Sequence, residues 1–169
     1  MIKTSMAFIF ALLLLITAGS VTGAEMAKEG NGDYRSGKTG TFVVLPMEKE
    51  RLQMNFEETG VVVSAPENSP LHNASFRTIG SLHAIKGKWK GSSFIEWTRP
   101  NGDKVYATSE GKGVLGGGPS KSVVKFVGGT GTCTGIEGTM EVGNTTGIKP
   151  AKKGTWQGIS VGKFNWKIP

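Results

Sequence analysis

Three glutamates and a tyrosine are the residues of this chain best suited to acid–base chemistry: Glu57, Glu58 and Glu96, with Tyr106. Glu96 sits in the apolar run Phe94-Ile95-Glu96-Trp97. A carboxyl turned into an apolar interior holds its proton more tightly and serves as a general acid or base. Turned outward, the same group is a solvated strand residue, and the sequence leaves both orientations open. If the chain is an enzyme, Glu57, Glu96 and Tyr106 are the catalytic candidates. His72 and Asn73 open a β-rich stretch, Leu71-His72-Asn73-Ala74-Ser75, and put polar groups where a cavity mouth would lie. Together with Phe76, Trp97, Tyr106 and Phe126 they are the candidates for binding a small hydrophobic or aromatic molecule.

Other chemistries find little material. The soft or borderline metal ligands are His72, His83 and Cys133, widely separated, so no metal site is expected, and no cofactor either. No serine lies in a G-x-S-x-G elbow. Cys133 reads as a small buried filler, because no cation nearby in sequence lowers its pKa. The run Gly32-Asp33-Tyr34-Arg35-Ser36-Gly37-Lys38-Thr39 fits the phosphate-binding pattern GxxxxGK[ST] in full. That pattern works only between a buried strand and a helix, so that backbone amides converge on phosphate. Here a polar leader precedes it and the strand-like Thr41 to Leu45 follows, so the match is a coincidence.

The elements that must position these residues are strands. Twenty-six glycines spread through the chain argue against a helical domain, and no stretch carries a sustained helical period with caps. Strands are expected near Thr41 to Leu45, Arg51 to Ser64, Leu71 to Lys90, Ser93 to Arg99, Lys104 to Gly111, Lys121 to Val127, Gly138 to Val142 and Gly154 to Lys167. About eight strands suit a single closed antiparallel β-barrel, an all-β fold with minor helix, such as a turn near Met47 to Glu50. Asn101-Gly102 has the residue types of a two-residue type I′ hairpin, which would set Trp97 opposite Tyr106 and Ile95 opposite Thr108. The densest signal is Gly128-Gly129-Thr130-Gly131-Thr132-Cys133-Thr134-Gly135-Ile136-Glu137-Gly138. Five glycines in eleven residues read as a tight turn of positive φ entering a further strand.

From Lys121 to Pro169, the order of strand, Gly-Gly-Thr-Gly turn, Gly-Ile-Glu-Gly, strand and closing aromatic strand ending Trp166-Lys167-Ile168-Pro169 resembles the C-terminal half of allene oxide cyclase and dirigent barrels. These belong to the calycin-like group. The earlier half is similar in strand rhythm. The resemblance implies a barrel with an apolar cavity and self-association as a dimer or trimer. In the plant cyclases a glutamate and an asparagine near the start of the barrel act on an epoxide. The comparable stretch here is Asn55-Phe56-Glu57-Glu58-Thr59, where Glu57 matches the acid and Thr59 stands in place of the asparagine. The chain more closely resembles exported bacterial proteins described as allene oxide cyclase barrel-like.

The N-terminus reads as an address. Lys3, the apolar run Met6 to Ile16 and the small residues up to Ala24 form a secretory signal peptide, too short for a confident membrane span. Residues 1–24 are therefore expected to be removed on export to a periplasm or the exterior, with no transmembrane segment left. Residues 25–38 would be a flexible leader and 39–169 the barrel domain. Residues 1–24 hold Lys3 and no acid, so the formal charge of +7 becomes +6 after removal. A basic exported protein is attracted to anionic surfaces, and Lys86, Lys88 and Lys90 are placed to form a basic stripe. Nucleic acid is not an expected partner. Three function classes follow: a binding protein holding a small hydrophobic or aromatic molecule, a cofactor-independent cyclase, isomerase or lyase, and a filled barrel acting through its outer surface.

Overall fold

The computed structural model describes residues 25–169, with the exception of Gly117. The expected signal peptide lies outside the described residues. Eight strands follow one another: β1 (Glu29–Met47), β2 (Arg51–Ser64), β3 (Ser75–Ile85), β4 (Lys88–Thr98), β5 (Lys104–Val114), β6 (Ser120–Gly129), β7 (Glu137–Ile148) and β8 (Trp156–Lys167). Each pairs antiparallel with its sequence neighbours, and β1 pairs with β8, closing the barrel. The sole helical turn among the described residues is a 3₁₀ segment, Gly131–Cys133. The all-β closed barrel is the fold expected from the strand rhythm.

β1 carries the main correction. Residues 25–38 are not a flexible leader: from Glu29 they form the first half of a 19-residue strand, with Asp33 opposite Lys163 and Ser36 opposite Ser160. The segment looks polar because only alternate residues face inward, and several of these are small. Tyr34 and Ser36 are buried, and Gly30 and Gly32 face Trp166 and Phe164. The phosphate-pattern run Gly32 to Thr39 is part of this extended strand, so its amides are committed to the ladder.

Three hairpins also differ from expectation. The stretch Leu71 to Lys90 is not one strand. It contains a loop up to Ala74 and a two-residue turn at Lys86 and Gly87, both at positive φ (48° and 72°), the geometry of a type I′ turn with lysine in the place usually taken by asparagine. Met47 to Glu50 is likewise no helical turn but the β1–β2 connection, with Lys49 and Glu50 left-handed. At Asn101-Gly102 the register is shifted by one: Trp97 pairs with Val105, Glu96 with Tyr106 and Ile95 with Ala107. Proline explains this. A two-residue loop there would need an N–H from residue 100, which Pro100 lacks, so the closing bond is made by the Arg99 N–H to the Asp103 carbonyl at 2.8 Å. Gly102 alone takes positive φ.

The barrel is plugged at one end. The β2–β3 loop, the glycine-rich β6–β7 connection and the chain end bring Leu71, Ala74, Cys133, Ile136 and Ile168 beneath Trp97 and Phe126. Trp97 is the centre of this floor, with Phe126 edge-on at 5.9 Å and Phe76 tilted at 6.5 Å. The glycine motif works by close approach: a Cβ on Gly129 would lie 2.5 Å from the Cys133 carbonyl oxygen, so only glycine lets the turn fold under the strand. Trp166 clamps the closure, stacking on Phe164 and donating its indole N–H to the Ala27 carbonyl at 2.9 Å.

Because β1 closes the ladder, deleting residues 25–38 leaves nearly all of β8, Gly158 to Lys167, and the end of β2 without their partner on β1. The truncated chain is expected to lose its cooperative thermal transition. A transition at the parent temperature, followed by circular dichroism, would restore the flexible-leader reading.

Candidate functional site

Inward-facing side chains shrink from floor to mouth on three strands. β6 runs Phe126, Val124, Ser122, Ser120. On β5 the series is Val105, Ala107, Ser109, Gly111, Gly113. On β8 it is Trp166, Phe164, Gly162, Ser160, Gly158, before Trp156 at the rim. The lower half therefore fills with aromatic and branched side chains while the upper half cannot. The result is a cavity of about 820 Å³, open at the end formed by the β1–β2, β3–β4, β5–β6 and β7–β8 connections.

Its walls differ in character. Along β3, β4 and β6 they are mainly apolar: Phe76, Leu82, Trp89, Ile95, Trp97 and Val124. Across from these, β1, β2 and β8 present a polar stripe of Tyr34, Ser36, Lys38, Glu58 and Ser160, which Thr78 extends onto β3. Lys38 Nζ donates to Glu58 Oε2 at 2.9 Å, with both side chains largely buried, and lies 4.9 Å from the centre of the Trp156 ring. Ser160 stands opposite Ser36 and within 3.1 Å of the Thr145 hydroxyl. Burial pushes the Tyr34 hydroxyl above its ordinary pKa; the side chains of Ser36 and Trp97 pull the other way, and the Glu58 charge adds to the rise. The Trp97 indole N–H makes no hydrogen bond of good geometry even though it neighbours that hydroxyl. It is a buried donor facing the polar stripe.

Lys38 and Glu58 face an interior with few competing charges, so each holds the other in place, and together they offer one cationic donor and one anionic acceptor to a bound molecule. A carbonyl or hydroxyl set against this pair would be oriented by it. The neutral Tyr34 hydroxyl, held protonated by burial, is a third donor.

The carboxylates singled out from the sequence point the other way. Glu57 is on the outer face, bonded to Arg77 Nε at 2.7 Å. Glu96 is also outside, 2.8 Å from Lys104 Nζ, and Tyr106 stands opposite it on the same outer face. Neither expected catalytic glutamate enters the cavity, and Tyr106 does not line it. Alternation explains this: Phe56, Glu58 and Gly60 turn inward, which forces Glu57 outward. His72 and Asn73 lie at the opposite end of the barrel from the mouth, in the β2–β3 loop. There Asn73 takes positive φ and contacts His72 Nε2 through its side-chain amide at 2.9 Å. Of the aromatic candidates, Phe76 and Trp97 line the cavity, while Phe126 is buried beneath it against Trp97. Lys38, Tyr34, Ser36 and Ser160 were missed. The signal that finds them is the parity of β1, visible only once residues 29–38 are read as a strand. Cys133 is buried in the floor, and burial raises its thiol pKa. Among the described residues no group of three metal-ligating side chains comes together.

No family profile matches the chain, and no curated protein does. Among solved structures, a pterocarpan synthase dirigent protein is similar to it with a TM-score of 0.50 and 10% identity, over 92% of this chain and 99% of that one. At that identity the similarity speaks to the fold: this is a dirigent-like barrel.

Lys38→Met leaves the Glu58 carboxylate without its partner and is expected to cost about 1–3 kcal/mol, reduced from the fully buried case because the cavity opens to water. Replacing both residues by methionine is expected to restore stability to within about 1 kcal/mol of the parent. Chemical denaturation of the two variants distinguishes a coupled interior pair from two independent side chains, whose losses would add.

Tyr34 gives a pH signature. Its proton is held more tightly in the folded chain than in the unfolded one, so its contribution is complete below the unfolded pKa of about 10 and is lost as pH rises beyond it. Unfolding midpoints measured on both sides of that pH are expected to fall more steeply for the parent than for Tyr34→Phe. Equal slopes would show that burial does not perturb this hydroxyl.

Proposed function

We propose that this protein binds a small, largely hydrophobic or aromatic molecule in the barrel cavity, with one polar group of the ligand set against Lys38 and Glu58. The observation that carries this reading is the two-sided cavity: about 820 Å³ of space with an aromatic and aliphatic wall facing a stripe that contains an interior ion pair. That volume lies in the range of pockets for small-molecule ligands. An interior kept roomy by serines and glycines and lined with a buried cation and anion is poorly explained by stability alone. Well-packed apolar residues would serve stability as well or better.

A specific observation favours a second reading, in which the barrel is a cofactor-independent cyclase, isomerase or lyase. Glu58, Lys38 and the Tyr34 hydroxyl share one apolar-walled space, and such groups move protons on a substrate that the walls hold in a reactive shape. The proposal includes export through the N-terminal apolar segment. Self-association as a dimer or trimer is also part of it, supported by the exposed apolar residues Ile79 and Phe94, which pair on the outer face of β3 and β4.

The test is native mass spectrometry of the purified protein and of Ser109→Trp, which puts an indole into the cavity from its wall without touching Lys38 or Glu58. The parent is expected to carry an added small-molecule mass that the variant loses. Equal retention by both would overturn cavity binding. Glu58→Gln separates the two readings: a retained ligand in unchanged form in both parent and variant supports binding, whereas conversion by the parent and accumulation of the starting compound in the variant supports catalysis.

A further inference from the structure

The open end of the barrel carries a pattern that neither the cavity nor the fold requires. The outermost row of outward-facing residues crosses five strands in register as Met47, Arg51, Ile85, Lys88 and Val114, alternating apolar and cationic. All five are exposed. The next outward row, two residues nearer the floor, reads Leu45, Gln53, His83, Lys90, Lys112 and Lys121. Leu45 is 65% exposed, and three lysines stand directly opposite one another on adjacent strands. Like charges in that relation repel and weaken the ladder. None of the three is within ion-pair distance of an acid among the described residues. The acids nearest in register are Glu110 and Glu141, one outward position along β5 and β7, where both stand opposite Val123. The connections at this end add Lys49, Lys86, Lys149, Lys152 and Lys153 against Glu48 and Glu50, so cations still outnumber acids there.

Elsewhere on the barrel several cations stand opposite acids. On the β1, β7 and β8 side, Lys163 stands between Asp33 and Glu141, and Lys167 between Glu29 and Glu137. Lysines directly opposite one another in the ladder occur only at this end among the described residues, and exposed Leu45, Met47, Ile85, Val114 and Ile148 ring the same end, Val114 and Ile148 also lining the cavity mouth.

From this geometry we infer that the open end docks on an anionic lipid bilayer. At the tip, Met47, Ile85 and Val114 share the outermost row with Arg51 and Lys88, whose long stems let their charges snorkel, and the lysine row lies about 5–7 Å behind, given the rise of two strand residues and the tilt of strands in a barrel. That is the spacing needed for the tip to enter the acyl boundary while the ammonium groups sit among phosphate headgroups. A soluble polyanion would use the lysines but leave the exposed Met47, Ile85 and Val114 in water, so the bilayer is the occupant that satisfies both rows. Docked this way, the cavity mouth faces the membrane, giving a hydrophobic ligand a path that avoids water. The docking itself does not depend on the cavity being occupied.

Co-sedimentation with vesicles tests this, using phosphatidylcholine alone and phosphatidylcholine mixed with phosphatidylglycerol, with the same N-terminus in every variant. The parent is expected to bind the mixed vesicles, more weakly as salt is raised, and to leave the neutral ones largely unbound. Lys90→Gln/Lys112→Gln/Lys121→Gln is expected to bind about a hundredfold more weakly, at roughly one tenfold step or less per lysine. Its melting temperature should stay equal or rise, since the substitutions relieve repulsion. Met47→Ser/Ile85→Ser is expected to lose about tenfold or more with its charge intact. Equal binding to both vesicle types, or undiminished binding by the lysine variant, overturns the inference. So does tight retention on heparin by a protein that ignores vesicles, which would assign the lysines to a soluble polyanion.

Discussion

Closure of β1 onto β8 is the constraint from which the interior follows. In an open sheet a strand that slips by one residue exposes its apolar face at modest cost. In a closed ladder every strand is held from both sides, and a slip would turn each inner residue outward. Parity is thereby fixed around the whole barrel. It decides that Glu58 and Lys38 meet inside while Glu57 meets Arg77 in solvent. Two adjacent glutamates have nearly the same chemistry, and only the register of the ladder distinguishes them.

Given closure, the volume of the inner residues determines where the barrel is solid. Eight strands enclose a space that side chains can just fill. Where Trp97, Phe126, Phe164 and Trp166 point inward, they fill it and supply the apolar burial that holds together a domain whose one cysteine, Cys133, can form no intrachain disulfide. Toward the mouth, serine and glycine take the inward positions of β5, β6 and β8, and the space stays open. Stability and cavity are thus divided along the barrel axis. A floor that is rigid and dry supports a chamber whose walls are small, and Lys38 and Glu58 lie where these two regimes meet.

The fold was legible because its signals are local. The glycine-rich connection at 128–138 and the recurring β-branched segments need no partner to be recognised. The site was less legible because it depends on parity, and parity was obscured at particular residues. Val61, Val63, Ile79 and Phe94 are apolar and face outward, so β2, β3 and β4 lack clean alternation of apolar and polar residues. Inward Ser36, Lys38 and Glu58 reverse the usual meaning of a polar residue in a strand. The first half of β1 contains three glycines and few apolar side chains, and reads as unstructured until its partners on β8 are known. At Lys86-Gly87 a type I′ turn without asparagine or aspartate gave no composition signal. At Asn101-Gly102 the signal was present, but Pro100 removed the N–H that the two-residue turn requires.

The same parity accounts for the odd composition of the mouth. On β5, β6 and β8 the inner positions at that level are Gly111, Gly113, Ser120 and Gly158, which keep the opening wide beside the inward Trp89 and Leu82. The remaining apolar residues of this end, Leu45, Met47 and Ile85, fall on outward positions and stay exposed. Folding gains little from them there, and it gains nothing from three lysines in cross-strand register. A barrel shaped only for stability would have neither, since both features work against the ladder in water. They become favourable together only where water gives way to a surface that is apolar in depth and anionic at its edge, which places the origin of this end's chemistry outside the folded chain.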